Sequence, residues 1–317
     1  MIPMKNITPL HTKSERSPDF FFVGHPRSGS GLLDSFLQGH PDIFMARKEL
    51  HYFGSDLHYH TPARTRESYM SHFASARSEK RVGEASTWYL ASQKAADEIK
   101  TFAPEARIIM MLRNPVTWLH SLHSHLIFSG DEDIADFGAA LEADSDRFAG
   151  NRVPDGSLPG CALHYRHLVR YAEQVERYFS AFGRDRVHVM ILDDFKVDAA
   201  TEYRKCLEFL GLPTVFPGMD EVLHGSARSK NSNRTVRSTR VRSFIRKPSQ
   251  WRVLVGLDPA PVPGWGLAVR ALRRINIEYT DRQKMDPDVR ARLNQELRPR
   301  VDDLEQLLGR SLPNWCS

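Results

Sequence analysis

A chain of 317 residues, 41% hydrophobic and 26% charged, can bury the core of one large α/β domain or two small ones, which excludes a fibrous or wholly disordered protein. Its formal net charge of +5 suits a substrate or partner that carries phosphate or sulfate. Three widely separated cysteines, Cys161, Cys206 and Cys316, exclude a disulfide framework and a paired-cysteine metal site, as in a protein of a reducing compartment. No apolar run reaches the ~18 residues of a membrane span, and the N-terminus has no signal-peptide core, so a soluble, cytoplasmic protein is expected.

Residues 1–18, polar and proline-containing, read as a loose leader to a single domain over 19–317. Phe20 to Val23 then read as a short buried strand, followed by the glycine-rich turn Gly24-His25-Pro26-Arg27-Ser28-Gly29-Ser30-Gly31. Leu32, Leu33, Phe36 and Leu37 recur at helical spacing. Strand, glycine turn and helix aim backbone N–H groups and the positive end of a helix dipole at one spot, which suits an anion. Gly24 and Gly29 have the gap of G-x-x-x-x-G-K-[ST], but Ser30 replaces its Lys and Gly31 its magnesium-binding hydroxyl. The cation sits inside the loop, at Arg27. An ordinary βα turn with glycines for tight geometry is the plain alternative.

His40 to His60, rich in histidine and aromatics without a clean period, reads as a loop beside the phosphate site. Arg81 to Leu90 reads as a second strand ending in a polar turn, Ala91 to Phe102 as a helix, and Arg107 to Leu112 as a continuous apolar strand. Arg113, Pro115 at a helix start, and Ser121 follow; Arg113 can grip a phosphate monoester in bidentate fashion and Ser121 can add a hydroxyl. The helix from Val116 to Ser129 contains His120, His123 and His125, whose spacing does not put all three on one face, so no metal is expected. Asp131 to Pro159 reads as a surface excursion and Tyr165 to Phe182 as one amphipathic helix. Arg186 to Leu192 is a predicted strand, Ala199 to Leu210 a helix ending at Gly211, and Asp286 to Leu308 a charged amphipathic helix. The alternation predicts an α/β fold with a mostly parallel central sheet and helices on both faces, with ligand sites beyond the carboxyl ends of the strands. Nine Lys or Arg and no acid lie between Val222 and Leu257, but without interleaved stacking aromatics, so no nucleic-acid partner is expected.

Several of these stretches resemble the sulfotransferases that use 3′-phosphoadenosine 5′-phosphosulfate (PAPS). GHPRSGSGLL is similar to their 5′-phosphosulfate loop, and Arg113 to Ser121 resembles their 3′-phosphate motif. Lys48-Glu49-Leu50-His51-Tyr52-Phe53 resembles the catalytic-base segment of the branch containing heparan-sulfate 3-O-sulfotransferases. An acid that follows in that branch is Gly54 here, with Asp56 the nearest substitute. Asn231 to Ser238 resembles the late loop that closes over the nucleotide in bacterial members. The resemblance implies a P-loop-like sulfotransferase fold, PAPS as donor and no metal. It implies nucleotide contacts from Arg27, Ser28, Gly29, Ser30, Gly31, Arg113, Ser121, Asn233, Arg234 and Arg237. Glu49, with a raised pKa, would take the acceptor proton, Arg27 would stabilise negative charge on the bridging and sulfuryl oxygens, and His51 would either act beside Glu49 or support the loop by packing. Tyr52, Phe53, Glu84, Ser86, Trp88 and His125 would line the acceptor pocket; Ala85 stands where relatives often have a Lys. The acceptor is expected to be a hydroxyl, less readily an amine, on a small molecule, glycan or lipid. Two other classes stay open: a P-loop-type kinase, and a non-catalytic phosphonucleotide- or nucleic-acid-binding protein.

Overall fold

Four consecutive large apolar residues make β1 (Phe20–Gly24) an interior strand, and Phe20 to Val23 are each at most 3% exposed. The computed structural model describes residues 16–57, 65–154, 160–226, 233–236, 272, 275–280 and 284–316. β1 is the middle of five parallel strands in the order β2 (Ile43–Met45), β3 (Arg81–Thr87), β1, β4 (Arg107–Leu112), β5 (Val187–Ile191). Gly83 of β3 is required by packing, because a Cβ there would stand 2.2 Å from the Phe20 ring.

Alternate side chains of β1 enter different cores. Phe21 and Val23 join Ile108 and Met110 under helices that include α3 (Pro115–Ser129), α4 (Tyr171–Phe182) and α6 (Pro287–Leu308). Phe20 and Phe22 join Ile109 and Met111 under α1 (Ser30–Gln38) and α5 (Ala199–Leu210) on the other face. Helix boundaries follow local chemistry. α3 begins at Asn114, whose Oδ1 accepts from the N–H groups of Val116 and Thr117 at 3.0 and 3.2 Å, with Pro115 next. α5 and α6 begin on aspartate caps, and both end on left-handed glycines, Gly211 and Gly309.

Four expectations are corrected. The loop from His40 contains the edge strand β2. α2 (Ala95–Phe102) starts later than Ala91 because Ser92 Oγ accepts from the Lys94 and Ala95 N–H groups. The helix expected over 165–182 breaks after Leu168: Arg170 leaves helical geometry (ψ 57°), and the freed Leu168 carbonyl accepts from Gln174 Nε2 at 3.2 Å. The excursion after Asp131 is anchored rather than superficial. Arg147 and Glu132, both with fully buried side chains, form a bidentate pair, and the Tyr165 hydroxyl donates to Glu132 at 2.7 Å. Arg147→Met would leave Glu132 buried without its counter-charge and is expected to cost about 3–5 kcal/mol, read as a lower urea midpoint at unchanged slope.

The late strands β6 (Asn233–Val236) and β7 (Ile277–Thr280) pair antiparallel, and the β6 backbone lies against α3. Arg237, the basic run apart from Arg234, and the leader up to residue 15 lie outside the described residues. Among the described residues no helix is long and apolar enough to cross a membrane.

Candidate active site

Beyond Gly24 the chain turns through residues 25–29 into α1. Gly29 sits at φ +96°, and a Cβ there would lie 2.7 Å from both Leu192 Cδ1 and Met111 Sδ, so only glycine fits. A Cβ on Gly31 would meet nothing within 4 Å, so the space over the first turn of α1 is open. That turn presents the N–H groups a helix leaves without intrahelical partners. Ser28 is 2% exposed, and its hydroxyl is buried without a hydrogen-bond partner.

The loop is clamped from α3 and the end of β4. Trp118 Nε1 donates to the Pro26 carbonyl at 2.8 Å, and Arg113 Nη1 donates to the Arg27 carbonyl at 3.0 Å. The exposed Arg27 side chain turns toward the same helix, Nε donating to Ser121 Oγ at 3.4 Å. Arg27 is therefore clustered with Arg113 and Ser121, which lie 86 and 94 positions further along the chain. The β6 backbone, which includes Asn233 and Arg234, lies against the helix carrying Ser121.

His25 is a loop residue that sequence reasoning missed. It is buried, and its Nε2 lies 2.8 Å from Gln174 Oε1. Gln174 spends its amide N–H on Leu168, so Oε1 accepts and the imidazole carries its proton on Nε2. Burial pushes the His25 pKa down to about 4, keeping the ring neutral at neutral pH. Its place beside the first glycine was visible, but Gln174 lies 149 positions away.

The Glu49 segment crosses the carboxyl end of β3. Thr87, opposite Gly24 in the parallel register, donates its hydroxyl to Glu49 at 2.8 Å. His51 Nε2 lies 2.9 Å from Glu49 Oε2, and Lys48 Nζ donates to the Ser30 carbonyl at 3.2 Å, tying the segment to α1. Burial alone would push the Glu49 carboxyl up. The hydrogen bond and charge of His51, the Thr87 hydroxyl and Lys48 outweigh it, and the net shift is downward from 4.5. The expected raised pKa is corrected accordingly: His51 and Thr87 hold this group as a carboxylate. Asp56 is engaged elsewhere, with Ser92 Oγ and the Gln93 N–H.

Of the other predicted residues, Tyr52 is half-buried and stacks on Tyr69 at 4.1 Å, while Phe53 is 4% exposed. Trp88, 7% exposed, meets the His25 ring edge-on at 6.4 Å. His125 is partly exposed on α3. Glu84 and Ser86 are each 1% exposed, and their polar atoms face Tyr69, Tyr89 and the backbone of residues 50 and 51. His123 is spent on the Ile134 carbonyl at 2.9 Å. Among the described residues no three His, Cys, Asp or Glu side chains gather as a metal site.

Residues 18–217 match the family model described as the Sulfotransferase family. The chain belongs to that family. A sulfotransferase from Alicyclobacillus acidocaldarius, of known structure, is 26% identical and superposes with a TM-score of 0.68 over 95% of this chain and 100% of that one. The membrane-associated sulfotransferase kil1 of Dictyostelium discoideum is 31% identical over 109 residues, 34% of this chain and 23% of that protein. The bifunctional heparan sulfate N-deacetylase/N-sulfotransferase 1 of Caenorhabditis elegans is 24% identical over 204 residues, 62% of this chain and 22% of that protein. The chain thus spans less than a quarter of the length of either curated relative. The mostly parallel sheet and the glycine loop at its carboxyl edge are the P-loop-like fold of the family.

Proposed function

We propose that this sulfotransferase moves the sulfuryl group of PAPS to an acceptor hydroxyl by in-line transfer. The reading rests chiefly on one observation: Arg27 reaches Ser121 while Arg113 holds the Arg27 carbonyl, so two cations and a hydroxyl flank an open helix N-terminus. A nucleotide phosphorylated at both 3′ and 5′ positions has its two anions on one ribose and fits such a cluster. The unpartnered buried Ser28 hydroxyl and the open space above Gly31 fit its 5′ end. Arg113 and Ser121 would hold the 3′-phosphate, with Asn233, Arg234 and Arg237 closing over it.

PAPS supplies an activated sulfuryl group. The acceptor oxygen bonds to sulfur as the bond from sulfur to the bridging phosphate oxygen breaks, and adenosine 3′,5′-bisphosphate leaves. Glu49, held ionised by His51 and Thr87, takes the acceptor proton. Arg27 and the N–H groups of residues 28–31 neutralise charge building on the bridging and sulfuryl oxygens. Ser30 and Gly31, in place of the kinase Lys and magnesium-binding hydroxyl, argue against phosphoryl transfer from ATP. Tyr52, Trp88 and His125 are proposed to border the acceptor. A small molecule or glycan hydroxyl is the first class to assay, and the heparan sulfate N-sulfotransferase relative makes an amino sugar the second.

The test is incubation with PAPS labelled in the sulfuryl group and a metabolite extract of the host. Label transferred to an acceptor, with stoichiometric adenosine 3′,5′-bisphosphate, is the expected result. Magnesium-dependent transfer from ATP instead would overturn it.

A further inference from the structure

Glu84 lies on the same face of β3 as Ser86, two residues on, and is sealed beneath the Glu49 segment. Its Oε1 accepts the Ser86 hydroxyl at 2.6 Å and the Tyr89 hydroxyl at 2.9 Å; its Oε2 accepts the Tyr69 hydroxyl at 2.7 Å. The first two hydroxyl oxygens are themselves acceptors. Ser86 Oγ takes the N–H groups of Leu50 and His51, both at 3.0 Å. Tyr89 OH takes those of Tyr52 and Phe53, at 2.8 and 3.2 Å.

A hydroxyl has one proton and two lone pairs. Two N–H groups fill the lone pairs of each oxygen, so each proton has Glu84 Oε1 as its partner. We propose that Glu84 is a positioning residue: through two hydroxyls, a single buried carboxyl oxygen fixes four successive backbone N–H groups and so sets where Glu49 and His51 stand. Thr87 holds Glu49 itself from the opposite face of the strand end, so the segment is gripped on both sides of β3. This inference rests on Glu49 being the base.

The arrangement makes a chemical prediction about which part of Glu84 matters. Oε1 must accept two protons, whereas the Oε2 position need only meet the Tyr69 oxygen, which can donate or accept. An amide would serve, with its oxygen at Oε1 and its nitrogen donating to Tyr69. An apolar side chain would not, because the Ser86 and Tyr89 protons would be stranded and the hydroxyls would rotate away from the N–H groups.

The experiment compares wild type with Glu84→Gln, Glu84→Leu and Ser86→Ala. Three quantities are read: amide hydrogen exchange at residues 50–53, affinity for adenosine 3′,5′-bisphosphate, and kcat. Ser86→Ala, which removes one small hydroxyl and should fold, is expected to speed exchange at 50 and 51 about tenfold and lower kcat about 100-fold, with bisphosphate affinity within about twofold. Glu84→Leu should do so at all four amides, and Glu84→Gln should restore both readings to within about fivefold of wild type. Unchanged exchange in Ser86→Ala, or Gln as damaging as Leu, would overturn the proposal. If wild type transferred no sulfuryl group, the base reading would fail, and exchange in Ser86→Ala would still decide the network.

Discussion

Glu49→Gln is expected to lower kcat by about 10²–10⁴-fold, the usual contribution of a positioned general base. The amide keeps an oxygen to accept the Thr87 hydroxyl, so the segment should stay folded and adenosine 3′,5′-bisphosphate should bind within a few-fold of wild type. The carboxylate form is the active one. Because the Glu49 pKa is held below 4.5, its limb of the kcat/KM profile should be level through neutral pH and fall only as pH drops below that value. A near-normal kcat in the Gln variant, or an acid limb belonging to Glu49 and centred well above 4.5, would remove the base assignment.

Arg27→Ala carries the second large effect. Its guanidinium is the one cation supplied by the loop itself, and it stands against Ser121 next to the open first turn of α1. Removing one preorganised donor from a site of developing charge costs about 10²–10³ in kcat. Here the ground state should suffer as well, since the leaving bisphosphate loses a contact, so kcat and bisphosphate affinity should fall together. That pattern separates it from Glu49→Gln, in which kcat falls alone. Stopped turnover with unchanged bisphosphate affinity would place Arg27 in a role other than gripping the nucleotide.

Much of the frame was legible in the chain. Phe20 to Leu37 announces strand, turn and helix because an apolar run, glycines and a helical period follow one another within eighteen residues. Asn114 and Pro115 fix the start of α3 by local capping chemistry, and Gly211 the end of α5. The misreadings came where a side-chain contact made only in the folded chain decides the outcome. Nothing in Leu168 to Arg170 shows that Gln174 will satisfy a broken helix, and nothing in Glu132 shows that Arg147 will be buried with it. Glu49 was identifiable as a carboxylate in the right segment. Its protonation was not, because His51 and Thr87 meet it only once the segment is folded over β3. Glu84 looked like a pocket residue for the same reason: its three hydroxyl partners come from Ser86, Tyr89 and Tyr69, and the strand pattern alone does not reveal that they converge beneath the segment.

The central claim is that Arg27, Arg113 and Ser121 form one cradle for a nucleotide phosphorylated at two positions. Titration calorimetry of wild type and Arg113→Ala with adenosine 3′,5′-bisphosphate and with adenosine 5′-monophosphate tests it most directly. Charge-assisted contacts of about 1.5–3 kcal/mol predict that wild type prefers the bisphosphate by roughly 10- to 150-fold and that the preference collapses in Arg113→Ala. Equal affinity of wild type for the two nucleotides would contradict the account.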